Sequence, residues 1–137
     1  MAQGGAGGRT RLTLRDVAMA LADGASDRAG EDARLRAVLS WVDEVRSCPV
    51  SERPGLWTDP GSSGHANWDA LLAGLAEHFA AQQGLATPPW ALAESRFLLR
   101  WWFLPDTPGA RAESIVEAPI ALKRRGVFMS ERDLVSV

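Results

Sequence analysis

The chain has no tyrosine, a single cysteine, a single lysine and only two histidines in 137 residues. Each shortage removes a class of explanation. A lone Cys48 forms no internal disulfide, so buried apolar surface has to hold the fold together, and a chain of this length has enough of it for one domain. His65 and His78 fall short of the three or four ligands that a transition-metal site wants, so neither a metal nor any other cofactor is expected. No apolar run approaches the roughly 20 residues of a membrane-spanning helix. Met1 is followed by glycines and arginines instead of an apolar stretch, which makes a cytoplasmic setting the expectation. With a net charge of only -2, the chain lacks the strong positive field of a protein that grips duplex phosphates.

What the chain has instead is tryptophan: Trp41, Trp57, Trp68, Trp90, Trp101 and Trp102. Large stiff rings fix cores and recur as anchors at protein interfaces. Charge is uneven along the sequence. Residues 49–95 are acidic, whereas residues 96–137 are mildly basic and include the cluster Lys123, Arg124, Arg125.

Residues 1–11 carry too little apolar content to fold and read as a mobile tail, followed by one helical domain over residues 12–137. Thr13 and Asp16 have the spacing of a capping box, and Leu14, Val17, Ala18 and Leu21 share one helix face ending near Gly24. Residues 25–30 read as a loop. Residues 31–48 carry the stripe Leu35, Val38, Leu39, Val42, Val45, with Trp41 on its flank, and stop before Pro49. Prolines and glycines make residues 49–66 a long internal loop pinned by Leu56 and Trp57. Asn67 is the expected cap of a helix with Trp68, Leu71, Leu72, Leu75 and Phe79 on its stripe, ended by Gly84. Pro88-Pro89 is expected to open a helix over residues 90–102, stopped by Pro105 and Pro108-Gly109. A further helix spans residues 110–117, and Pro119 either kinks it or opens a new turn that ends at Gly126. Residues 127–129 are extended, and Ser130 with Asp133 caps a last short turn.

No constellation in this sequence assembles a reaction centre. His78 borders an apolar stripe and reads as a rim-packing residue, and Cys48 reads as a helix-end thiol with no base placed beside it. Ser62-Ser63 lies among glycines but lacks the G-x-S-x-G elbow, so a flexible linker is the better reading. The acids are scattered along exposed faces instead of pairing. Residues 12–18 resemble the first helix of helix-turn-helix regulators, yet the polar, glycine-bearing residues 23–30 offer no recognition helix after it. Residues 100–105 (RWWFLP) gather more apolar surface than one helix face can bury, so one side is either wrapped by the chain or left for a partner.

The second half, through Trp68-Asp69-Ala70-Leu71-Leu72, Glu77-His78, Pro89-Trp90, Arg96-Phe97-Leu98, Trp101-Trp102-Phe103, Glu117-Ala118-Pro119, Arg124-Arg125-Gly126-Val127-Phe128 and Asp133-Leu134, resembles a family of short, mostly uncharacterised actinobacterial proteins. Some of these are similar to antitoxins or small regulators encoded beside nucleotidyltransferase-like toxins. The resemblance implies a fold and a partner enzyme encoded nearby, and it implies no catalytic residues.

The expectation is therefore an all-α domain of five or six helices around Trp68, Leu72, Leu75, Phe79, Phe97, Leu98 and Trp101. Its expected role is non-catalytic protein binding, antitoxin-like or regulatory. Trp102 and Phe103 supply the apolar anchors, and Arg100, Lys123, Arg124 and Arg125 pair with acids of the partner. A homodimer through the same patch is not distinguished by composition. The alternatives are a DNA-binding regulator using Arg11, Arg15 and Arg28, and a small hydrolase or transferase with His65 or His78 as base.

Overall fold

A computed structural model describes residues 10–135. The first nine residues of the expected tail lie outside that range. Arg11, at the tail's expected end, reaches Glu44 at 3.3 Å and Glu52 at 3.2 Å.

The architecture is a small, mostly α-helical bundle. Helix α1 (Leu14–Ala22) opens on the expected capping box, in which the Thr13 hydroxyl and the Asp16 carboxylate each bond the other's backbone N–H. Its Leu14, Val17, Ala18 and Leu21 are all buried. Helix α2 (Arg28–Ser47) begins inside the segment read as loop, because the Asp27 carboxylate accepts the Gly30 N–H at 2.8 Å and caps it. Gly30 lies so close to the Ala25 carbonyl that an added Cβ would sit 2.0 Å from its oxygen. The glycine read as a loop signal is thus a packing requirement of a helix start. Trp41, expected on the flank of α2, is fully buried, and its indole N–H donates to the Leu56 carbonyl at 3.1 Å.

The prolines after α2 do not abolish regular structure. Residues Val50–Trp57 form a 3-10 helix that carries Leu56 and Trp57 into the core. Helix α3 (Ala66–Gln82) runs through the middle of the core, with Trp68, Leu71, Leu72, Leu75 and Phe79 enclosed. It starts one residue before the expected Asn67, and its N-cap is His65, whose side chain makes no capping bond. Its C-terminus closes as a Schellman turn: Leu85 N–H donates to Ala80 O at 2.9 Å and Gly84 N–H to Ala81 O at 3.0 Å, with Gly84 at φ +72°.

The largest departure from expectation concerns residues 90–102, where no α-helix forms. Short 3-10 turns at Pro89–Leu92 and Glu94–Arg96 lead into strand β1 (Trp102–Phe103). This strand pairs in parallel with β2 (Val127–Phe128), Trp102 beside Val127 and Phe103 beside Phe128. The backbone N–H groups of Leu98, Trp102 and Leu104 donate to the carbonyls of Arg125, Gly126 and Phe128 at 2.9, 2.8 and 2.9 Å. An extended chain sends consecutive side chains to opposite faces, so adjacent tryptophans go to different environments. Trp102 packs edge-on against Trp68 at 5.0 Å, while Trp101 turns outward. Of the expected core, Phe97 and Leu98 are half-buried and Trp101 is 65% exposed.

Between the strands, α4 (Pro108–Glu117) is capped by Thr107 with Pro108 in its first turn. Pro119 opens a new short helix α5 (Ile120–Lys123) instead of kinking α4. Gly74 of α3 admits α5 closely, since an added Cβ would meet Leu122 Cδ2 at 2.4 Å. Helix α6 (Glu131–Val135) follows Ser130 and returns to α2, where Arg46 donates to the Leu134 carbonyl at 2.5 Å.

Candidate functional site

The strand β1 sector combines exposed apolar side chains with an exposed charged group. Trp101, Phe103 and Phe128 form a cluster on one face of the two-stranded sheet, with centroids 4.8 Å apart for Trp101–Phe128 and 5.1 Å for the stacked Phe103–Phe128 pair. The Arg111 guanidinium of α4 lies over Phe103 at 4.7 Å and is bonded to Asp106. That hydrogen bond holds the Asp106 carboxyl below its ordinary pKa and raises that of Arg111. Trp101 is therefore braced from behind yet open to solvent. Beside it Leu99 is wholly exposed, and Arg100 is exposed as well.

The basic cluster divides. Arg124 is exposed, reaches Glu77 at 3.1 Å and lies over Phe97. Lys123 donates from Nζ to the Val116 carbonyl at 3.1 Å. Arg125 has no exposed surface: its guanidinium bonds Glu77 and the carbonyls of Ala121 and Ala91, and it stacks on Phe97. Burial lowers its pKa, with Glu77 opposing that shift. A side chain so enclosed ties α3, α5 and the Pro89–Leu92 turn together and presents nothing to a partner. The anchors divide in the same way. Trp102 and Phe103 are half-buried in the fold, and the freely presented groups are Leu99, Trp101 and Arg100.

A second polar region surrounds the start of α3. Arg34 is buried and spends its five N–H donors on the carbonyls of Leu21, Gly24 and Ala25, on Glu31 and on His65 Nε2. A guanidinium only donates, so His65 accepts at Nε2 and carries its proton on Nδ1. Asp69 accepts from Ser62 Oγ at 2.6 Å and from Ser63 Oγ at 2.7 Å, ordering the loop read as a flexible linker. Arg96 bonds the carbonyls of Asp69 and Gly61 and lies over Trp90 at 4.9 Å. Two open clefts flank this loop, one of about 440 Å³ beside Arg34 and His65 and one of about 310 Å³ beside Asp69 and Arg96. In their walls Arg34 pairs with Glu31 and His65, and Asp69 pairs with Ser62 and Ser63, so these side chains clasp the loop to the start of α3. Sequence reasoning missed Arg34 and Arg96. The available signal was that Arg34 continues the Val38, Trp41, Val45 stripe at helical spacing.

The remaining candidates are dispersed. His78 is half-buried against Phe79 and bonds Gln82 at 3.3 Å; burial and Arg46 push its pKa down against the pull of Glu131. It stands thirteen residues beyond His65 on α3, a separation of roughly 20 Å at helical rise. Among the described residues no three side chains gather as a metal site, and no helix is long and apolar enough to cross a membrane. Of the DNA-contact candidates, Arg15 and Arg28 are exposed, while Arg11 is held by Glu44 and Glu52. Helix α2 does follow α1 after a short turn, which the polar sequence there had argued against.

No family model, no curated protein and no solved structure matches the chain.

Proposed function

We propose that the chain is a non-catalytic protein-binding module that masks a partner protein, in the manner of an antitoxin, through the surface around β1. One observation carries this reading: Trp101 is fixed by Phe103 and Phe128, yet 65% of it stays open, next to a wholly exposed Leu99. A rigid aromatic group loses little conformational entropy on binding and buries a large area, the pattern of interface hot spots. Exposed Arg100 adjoins these anchors, and an acidic group on the partner pairs with it. The class of partner, a toxin enzyme encoded nearby, rests on the family resemblance alone.

The test is capture from the native host with the tagged chain and with a Leu99→Ala, Trp101→Ala variant whose fold is verified by circular dichroism. The reading expects one stoichiometric protein bound by the native chain and absent with the variant. Capture of nucleic acid alone, released by moderate salt, would transfer the assignment to the DNA-binding regulator, which the α1–α2 hairpin with exposed Arg15 and Arg28 favours.

A further inference from the structure

We infer that β1 also pairs with a second copy of this chain, edge to edge and antiparallel. Trp102 and Leu104 turn their backbone N–H groups toward β2, so alternation directs the N–H and C=O groups of Trp101 and Phe103 to the opposite edge. Among the described residues nothing hydrogen-bonds to that edge. An open strand edge is a template for another strand, and β1 carries neither a charge nor a proline within its paired span to blunt it.

The edge is complementary to itself. A two-fold axis through Trp102 sets Trp101 of one copy opposite Phe103 of the other, and both residues on each copy then exchange N–H···O bonds. The register centred on Phe103 is worse, because it places Trp101 opposite Pro105, which has no N–H. In the favoured register Trp101 and Phe103 lie on the same face of the sheet, so each side gains a directly opposed aromatic pair, among the more favourable cross-strand contacts. The outward side chain of Trp101 is then covered by Phe103 of the other copy. The exposed stretch at Val116 and Ile120 lies on α4 and α5, offers no strand edge, and takes no part.

This pairing occupies the surface assigned above to a partner but does not depend on that assignment: a dimer with no partner, or a partner with no dimer, are separate outcomes. The experiment is sedimentation of the full chain up to about 1 mM, where weak association registers, together with amide hydrogen exchange by NMR at both ends of the range. The expected result is a concentration-dependent dimer that Trp101→Lys abolishes and Val116→Lys leaves intact. In the unmodified chain, exchange at the Trp101 and Phe103 amides slows at least about tenfold on dimerisation, while Trp102 and Leu104 are protected throughout. The exchange measurement stands even where Trp101→Lys fails to fold. A chain that stays monomeric, or a dimer in which those two amides remain unprotected, overturns the inference.

Discussion

Trp68 on α3 and Trp101 beside β1 each rest against aromatic neighbours, yet the first is enclosed and the second is 65% exposed. The contrast extends to their regions. From α1 to α3 nearly every large apolar side chain on a helical stripe is consumed by the core, and the buried Arg34 closes the α1–α2 turn with every donor used. From residue 88 onward α4 is the one helix of more than five residues among the described residues, and aromatic surface is left over beside Arg100, which makes no ion pair among the described residues. One region is built for stability and the other holds a rigid ring in solvent. Exposure maintained by packing, as opposed to disorder, makes the second region the place to look for function.

The comparison is broken most forcefully in the first region. Trp41→Ala removes a fully buried ring and its bond to Leu56, and should cost about 3–5 kcal/mol in denaturant titration. Gly74→Ala drives a methyl into Leu122 where α5 meets α3, and should cost about 1–3 kcal/mol by the same titration, with loss of α5 protection in hydrogen exchange. Thr13→Ala dismantles the capping box of α1, at a cost of about 1 kcal/mol and a correspondingly lower thermal midpoint.

A pH effect is smaller and belongs to α3. His78 titrates below its ordinary 6.5 because burial disfavours the charged ring. The unfolded chain therefore takes up this proton first, and stability contributed by the neutral ring is present above about pH 6.5 and lost as pH falls below it. His78→Gln should flatten that part of the stability–pH curve; an unchanged slope would show that another group is responsible.

Legibility followed locality. The Thr13–Asp16 box, the α2 stripe, the α3 stripe and the Gly84 terminator depend on residues within a few positions of one another, and each forms. Residues 90–102 have a helix-compatible pattern, but Leu98 and Trp102 find their backbone partners at Arg125 and Gly126, and pairings so distant in sequence leave no periodic trace. Gly126 signals the contact only in retrospect: it sits at φ +81° with Leu98 Cβ 3.3 Å from where its own Cβ would be. The candidate surface was legible as excess apolar content at residues 100–105. Which ring faces out was not, because that follows from the strand. Arg125 was read as a surface charge for a similar reason: sequence shows a basic run, while only the fold shows Glu77 and two carbonyls waiting inside for its second arginine.

The most direct measurement is a comparison of binding and stability for Leu99→Ala, Trp101→Ala against the native chain, with the captured partner titrated onto each. The account predicts a variant whose thermal midpoint shifts little and whose affinity falls at least about a hundredfold, as loss of hot-spot anchors requires. Unchanged affinity in a folded variant would contradict it and remove β1 from the binding surface.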